Sequence, residues 1–238
     1  MRAMILAAGR GERMRPLTDT TPKPLLPAGG KTLIAWHLER LASAGITDII
    51  INHAWLGAQI EASLGDGSKY GVRLAYSPEA SALETAGGIA QALDFFQDQA
   101  FLVVNGDVWC DWNPTHAKNF ANQLQASEHQ AWLLLVDNPA HHPQGDFCLH
   151  TSGLVTDAAG DASATGATAQ GLTFSGIGIY RPGLFTDIRR GQAAPLAPLL
   201  RQAMDHRQVV GAKHDGRWVD VGTPERLAAL DQELRAFR

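Results

Sequence analysis

The chain of 238 residues reads as an α/β protein with a mostly parallel sheet and helices on both faces. Three observations predict this. Short apolar runs alternate with segments of helical period from Ala3 to Asn105. The first apolar run feeds directly into a glycine-rich turn. Hydrophobic residues make up 45% and charged residues 18%, so the chain has globular composition and enough length to bury a sizeable core.

The elements follow in order. Ala3–Ala8 is a buried strand. Leu33–Ala44 is a helix, with Ile34, Leu38 and Leu41 at helical spacing and Gly45 as its stop. Asp48–Asn52 is a second buried strand, Trp55–Leu64 a short helix and Val72–Tyr76 a strand. Gly88–Phe96 reads as a helix and Phe101–Asn105 as a strand. Asn113-Pro114 then supplies a cap and a proline start for a helix whose face is Ala117, Phe120, Ala121 and Leu124. Trp132–Val136 is a strand, and Phe147–His150 with Leu154–Thr156 form a hairpin around Ser152-Gly153. Asp157–Gly171 is rich in Ala, Gly, Ser and Thr and reads as a mobile surface loop, with strand pattern resuming at Leu172. Leu196, Leu199, Leu200 and Ala203 mark a helix face, and Trp218–Val221 is a strand. Thr223-Pro224-Glu225 opens a last helix along Leu227, Leu230 and Leu234.

Charge and cysteine content narrow the function. Twenty Lys and Arg against 24 Asp and Glu give a net charge of −4, which argues against a general binder of nucleic acid or anionic membrane. Two cysteines, Cys110 and Cys148, are too few for a disulfide framework, and no zinc-type spacing is present. No apolar stretch reaches the length of a signal or membrane segment, so a cytoplasmic protein is expected.

The turn after the first strand carries the chemistry. Leu6-Ala7-Ala8-Gly9-Arg10-Gly11-Glu12-Arg13-Met14-Arg15 lets backbone N–H groups approach a phosphate, and Arg10, Arg13 and Arg15 can neutralise it. Met14 stands where a dinucleotide fingerprint needs its third glycine, and no Gly-Lys-Ser/Thr of a P-loop follows. Lys23 lies between Pro22 and Pro24, so its backbone is stiff. Asp107 follows one predicted strand and Asp220 lies in another; open parallel sheets place ligands at strand carboxyl ends. Two carboxylates there suit octahedral Mg²⁺, although each alone also fits a turn or a helix cap. The six tryptophans, Trp109 and Trp112 included, are assigned to core packing.

L-A-A-G-x-G-x-R, then P-L-T and P-K-P, Glu84-Thr85-Ala86-Gly87-Gly88, Asn105-Gly106-Asp107, and Trp218-Val219-Asp220-Val221-Gly222-Thr223-Pro224 occur in that order. This series resembles the sugar-1-phosphate nucleotidylyltransferases from Met1 to about Leu234. Within that family, Ile51-Asn52-His53-Ala54-Trp55, Val136-Asp137-Asn138-Pro139 and Gly145-Asp146-Phe147 are most similar to the N-acetylmuramate-1-phosphate uridylyltransferases of peptidoglycan recycling. Mannose-1-phosphate guanylyltransferases come next, which keeps GTP with mannose 1-phosphate as an alternative. A catalytically silent, nucleotide-sugar-sensing subunit is a remote third reading, because the motif carboxylates and lysine are present.

The resemblance implies a Rossmann-like, three-layer nucleotide-diphospho-sugar transferase fold with a mixed, mostly parallel sheet. It implies a single domain over 1–238, its nucleotide part about 1–110 and its sugar part about 111–238. It also implies Mg²⁺, a nucleoside triphosphate and a sugar 1-phosphate as small-molecule substrates, and release of pyrophosphate. A monomer is compatible with the absence of an appended assembly domain.

The same likeness assigns the site. Lys23, Arg13 and Asp107 are catalytic, and Asp107 and Asp220 hold the metal. Ala8, Gly9, Gly11, Glu12, Arg13, Arg15, Lys23, Gly87 and Gly88 hold the nucleotide; Asn105, Asn138, Gly145 and Asp146 hold the sugar phosphate. Asn52 reads equally well as a turn residue and is left outside the site. His141 and His142 read as loop residues. Asp107→Ala is expected to abolish turnover and leave the fold intact. One departure stands out. Many relatives hold the sugar phosphate with a Glu-Lys-Pro lysine, whereas this chain has no lysine between Lys118 and Lys213. Lys213 is the candidate substitute.

Overall fold

A computed structural model describes residues 1–157 and 169–236. Its first half contains β1 (Arg2–Leu6), β2 (Pro27–Ala28), β3 (Lys31–Thr32), α1 (Leu33–Ser43), β4 (Asp48–His53), α2 (Gly57–Leu64), β5 (Arg73–Pro78), α3 (Glu84–Gln91), β6 (Phe101–Asn105) and β7 (Val108–Cys110). Its second half contains α4 (Ala117–Gln125), β8 (Ala131–Val136), β9 (Phe147–His150), β10 (Val155–Asp157), β11 (Ala169–Tyr180), α5 (Leu196–Asp205), β12 (Val209–Lys213), β13 (Trp218–Asp220) and α6 (Pro224–Ala236). Among the described residues no helix is long and apolar enough to cross a membrane.

The central sheet runs β10-β9-β11-β6-β1-β4-β5, with β8 also paired to β11 and β12 to β8. From β6 to β5 every pairing is parallel. The remainder is mixed, because β11 runs antiparallel to β6, β8 and β9. The chain leaves β1 toward β4 and β5, then returns through α3 to β6 on the opposite side of β1. The carboxyl ends of β1 and β6 therefore flank the point where the winding reverses, where open α/β sheets bind ligands.

Strand alternation builds two cores. Ala3, Ile5, Ile49 and Ile51 face α1 and α4 through Ile34, Leu38, Ala117 and Leu124. Met4, Ile50, Val103 and Leu133 face the other way, onto Ile89 of α3 and Leu200 of α5. A third, smaller cluster joins Met14, Leu33, Trp109, Val221, Leu227 and Leu230. Each fully buried Leu or Ile contributes about 1.5–3 kcal/mol, so this third cluster is enough to anchor the glycine-rich loop to α6.

Several boundaries shift from the sequence expectation. β1 ends at Leu6 because the Ala7 N–H is taken by the Asn52 side chain at 2.9 Å. The helix expected over Gly88–Phe96 begins at Glu84 and gives way to a 3₁₀ turn at Leu93–Phe96. Its two glycines, poor helix formers, hide that start. The Trp55–Leu64 helix starts at Gly57. The Asn113 cap forms, accepting from the Thr115 N–H at 3.0 Å. The loop expected over Asp157–Gly171 has strand at both ends, in β10 and β11; its middle, 158–168, lies outside the described residues.

Candidate active site

A cleft of about 530 Å³ opens over the carboxyl ends of β1 and β6. Ala8, Gly9, Gly11, Glu12 and Arg13 line one side of it, and Lys23, Asn105, Asp107 and Gly222 another. Of the fifteen site residues expected from the sequence, eight line this cleft: Ala8, Gly9, Gly11, Glu12, Arg13, Lys23, Asn105 and Asp107. Asn52, Ala82, Glu84 and Thr85 complete the wall and were not assigned to it.

The glycine-rich loop is shaped from within. Gly11 has φ +66°, and a Cβ there would meet Thr18 Cγ2 at 3.0 Å. Its carbonyl accepts from the Thr18 hydroxyl at 2.8 Å and from the Met14 N–H at 2.9 Å. Met14 then dives into the third cluster and is fully buried, which is why a side chain stands where the dinucleotide motif has glycine. Glu12 and Arg13 remain exposed on the intervening turn. The Arg10 guanidinium stacks over the Trp55 ring at 4.3 Å, so Trp55 serves the loop rather than the core. Arg15 pairs with Asp19 at 2.8 Å and does not line the cleft.

Lys23 and Asp107 form the centre. Lys23 Nζ donates to Asp107 Oδ2 at 2.8 Å; the lysine side chain is 8% exposed and the aspartate 44%. Asp220 does not itself line the cleft; β13 pairs with β7, which sets Asp220 opposite Val108, one residue from Asp107. Asp220 Oδ2 accepts from Arg226 Nη1 at 2.6 Å and lies 3.5 Å from His141 Nε2. A carboxylate in the β6–β7 turn and one at the end of β13 offer oxygen donors only, which suits a hard divalent cation. Each has a basic partner in Lys23 or Arg226, so the negative charge is balanced in the protein alone.

A buried polar pair supports this wall from below. Asn52 donates from Nδ2 to Glu79 Oε1 at 2.7 Å while its Oδ1 accepts from the Ala7 N–H. Glu79 Oε2 accepts from the Leu83 N–H at 2.8 Å. Both side chains are buried, so these bonds fix the loop after β1 against the start of α3. Gly88 packs on this pair: a Cβ there would meet Asn52 Nδ2 and Glu79 Oε1, each at 2.7 Å. Gly87 packs on the Gln192 carbonyl, and its N–H is committed to the Ala194 carbonyl at 3.1 Å. Neither glycine lines the cleft; Glu84 and Thr85 do, with Glu84 at φ +58°.

The sugar-side residues are occupied with one another. Asn138 Nδ2 donates to the carbonyls of Pro143 and Gly171, and its Oδ1 accepts from the Thr173 hydroxyl at 2.9 Å. Gly145 has φ +68°, and a Cβ would meet Asn138 Oδ1 at 2.5 Å. Asp146 Oδ2 accepts from the Phe174 N–H at 2.8 Å, and its Oδ1 lies 3.1 Å from His142 Nε2. Asn138, Gly145 and Asp146 therefore brace the loop between β8 and β9 and do not line the cleft. Asn105 does line it, packed over Gly176. Lys213 pairs with Asp137 at 3.0 Å and Asp215 at 2.9 Å, which raises its pKa through those hydrogen bonds and leaves it a poor substitute for a phosphate lysine.

Cys110, Asp111 and His214 place one potential ligand atom each within 4.8 Å of one another. Burial pushes the Cys110 thiol up to about 11, and Arg40 stacks on the adjacent Trp109 ring at 4.5 Å. A protonated thiol beside a guanidinium is a poor cation ligand; the interaction formed is His214 Nε2 with Asp111 Oδ1 at 2.7 Å.

Comparison with known proteins agrees with this architecture. The nucleotidyl transferase family model matches residues 2–236. The chain is 59% identical over 229 residues to an N-acetylmuramate alpha-1-phosphate uridylyltransferase of Neisseria meningitidis serogroup B, covering 95% of each chain. It is 31% identical over 240 residues to the protein of the same name from Caulobacter vibrioides, covering 98% of this chain and 96% of that one. A crystal structure from Bacillus anthracis, described as a glucose-1-phosphate thymidylyltransferase, superposes with a TM-score of 0.80 at 21% identity, covering 99% and 95% of the two chains. The fold, the order of motifs and the reach of the family model agree from end to end: the chain belongs to the nucleotidyl transferase family.

Proposed function

We propose that this protein transfers UMP from UTP to N-acetylmuramate 1-phosphate, yielding UDP-N-acetylmuramate and pyrophosphate, with Mg²⁺ as its metal. The observation that carries the acceptor and the base is the 59% identity over 95% of both chains to a relative of that name. The Lys23–Asp107 pair on the wall of the switch-point cleft, with Asp220 held beside it by the β7–β13 pairing, supports the chemistry. Such an enzyme belongs to peptidoglycan recycling in the cytoplasm. The nucleotide occupies the part formed by residues 1–110, and the acceptor lies toward 111–238.

The reaction joins two anions, so charge neutralisation and alignment dominate. A sugar phosphate oxygen is already ionised at neutral pH and needs no general base. Gly9, Gly11, Glu12 and Arg13 hold the triphosphate, with Arg13 free on the loop surface to neutralise its charge. Lys23 stabilises charge on the α-phosphate as the bond to pyrophosphate breaks. Its buried stem and the 2.8 Å contact with Asp107 aim the ammonium. Asp107 and Asp220 would hold Mg²⁺, which supplies Lewis-acid neutralisation of the reacting phosphates when bound. Asn105, on the floor between the two halves, contacts the acceptor.

Pyrophosphate release with Mg²⁺ tests this over a grid of five nucleotides (UTP, GTP, CTP, ATP, dTTP) and the 1-phosphates of N-acetylmuramate, N-acetylglucosamine, glucose and mannose. Preference for UTP with N-acetylmuramate 1-phosphate is the expected result. Preference for GTP with mannose 1-phosphate would refute the acceptor and base while keeping the chemistry. No release from any pair would refute the enzyme.

A further inference from the structure

The acceptor proposed above carries two oxyanions: the 1-phosphate and the carboxylate of the lactyl ether. Both need cationic partners. Lys23 is committed to Asp107, Lys213 to Asp137 and Asp215, and Arg15 to Asp19. Arg226 differs. Its Nη1 donates to Asp220 Oδ2 at 2.6 Å and to the Asp220 carbonyl at 3.3 Å, and lies 3.1 Å from His141 Nε2. Among the described residues, every hydrogen bond of this guanidinium runs through Nη1. Nε and Nη2 remain as a fork able to take an oxyanion bidentately.

The location fits. A Cβ at Gly222, which lines the cleft, would lie 3.1 Å from Arg226 Nη1 and 3.1 Å from Asp220 Oδ2. Arg226 does not itself line the cleft but stands directly beside this cleft-lining glycine, with no Cβ between them. Arg226 sits in the first turn of α6, and its side chain is 26% exposed, so it is partly desolvated but reachable. His141 comes from the loop between β8 and β9, so the Arg226–His141 contact ties α6 to that loop.

We infer that Arg226, positioned by Asp220 and His141, is the residue that binds an oxyanion of the acceptor sugar. This rests on the acceptor reading given above. The Nη1 edge is held by Asp220, and the Nε–Nη2 edge receives the phosphate or the carboxylate. The same residue then couples the acceptor to Asp220.

The test compares wild type with Arg226→Gln and Arg226→Lys by calorimetry, with enzyme saturated in Mg²⁺ and a non-hydrolysable α,β-imido UTP. Three ligands are titrated: N-acetylmuramate 1-phosphate, N-acetylglucosamine 1-phosphate, which has only the phosphate, and N-acetylmuramate, which has only the carboxylate. Arg226→Gln is expected to weaken N-acetylmuramate 1-phosphate by about 10- to 100-fold. Affinity for the UTP analogue should stay within about threefold of wild type, and Mn²⁺ should bind no more weakly, because the substitution removes a competing cation from Asp220. Arg226→Lys, which keeps charge but loses the fork, should recover only part of the loss. Loss toward both phosphorylated sugars assigns the phosphate; loss confined to the two muramates assigns the carboxylate. Unchanged affinity for all three ligands overturns the inference. So does an equal loss of acceptor, UTP analogue and Mn²⁺, which marks a structural role. If wild type turns over a different sugar phosphate, the acceptor reading fails by itself, and Arg226 is tested on that sugar phosphate.

Discussion

Val221 donates its backbone N–H to the Asp107 carbonyl at 3.1 Å, so the β6–β7 turn that carries Asp107 is stitched to the segment just after Asp220; these are the two carboxylates proposed to hold the metal. The stitch extends the β7–β13 pairing in which Asp220 faces Val108. Residues 113 positions apart in the chain are thereby held next to one another without a covalent link.

Asp107→Ala should abolish turnover, and the structure revises what it does to stability. The carboxylate is half exposed, but its partner Lys23 is buried, so removing the acid strands an ammonium with no counter-ion. A loss of about 1–3 kcal/mol is expected alongside the loss of activity. Urea unfolding of Asp107→Ala against Asp107→Ala/Lys23→Met checks this: the second change should restore stability but not activity.

Lys23→Ala should lower kcat by about 10²–10³, as loss of a charge contact to the transition state does. The nucleotide Kd should change less than kcat. A variant with normal kcat and weakened nucleotide binding would make Lys23 a binding residue instead.

Asn52→Ala should cost about 2 kcal/mol, because it leaves the Ala7 N–H and Glu79 Oε1 unpaired in a buried place. The loop after β1 then loses its tether, and KM for the nucleotide should rise. Gly88→Ala, which pushes on the same pair, should show the same two symptoms. Equilibrium unfolding and steady-state kinetics on both variants check the coupling.

Stability should fall on mild acidification through His37. Burial, with Arg40 adding to it, lowers its pKa from 6.5 to about 4, and the ring meets the Val108 carbonyl at 2.9 Å. A folded-state pKa below the unfolded value means that the unfolded chain binds the extra proton first. The stability contribution is full above about pH 6.5 and falls until about pH 4, by about 3 kcal/mol. His37→Gln should flatten this part of the stability–pH curve, read by urea midpoints between pH 4 and 7.

The parts of the fold and site that are local in sequence were legible there. The apolar run of β1, the αL turn at Gly11 and the stiff Pro22-Lys23-Pro24 segment each announce themselves within a few residues. What depends on register was not. Asn52 enters the site because β4 pairs in parallel with β1, setting Asn52 beside Leu6, and Glu79 follows from the next turn. β7 has three residues and carries no period to read. Glu84 at φ +58° and the Gly87-Gly88 pair concealed the start of α3. Asn138 and Asp146 have the chemistry to bind a sugar, and only their partners reveal that they brace a loop.

β11 has twelve residues and pairs with β9 at Ala169–Leu172 and with β6 at Ile177–Tyr180. It is a single beam joining the β9–β10 hairpin to the parallel part of the sheet. Its register against β8 breaks between Phe174 and Gly178, and Gly176, at φ +80°, carries Asn105 directly upon it. Through this beam the sheet is continuous from β9 to β6. A side chain at Gly176 would therefore be felt twice, as strain in the beam and as pressure on Asn105 in the cleft.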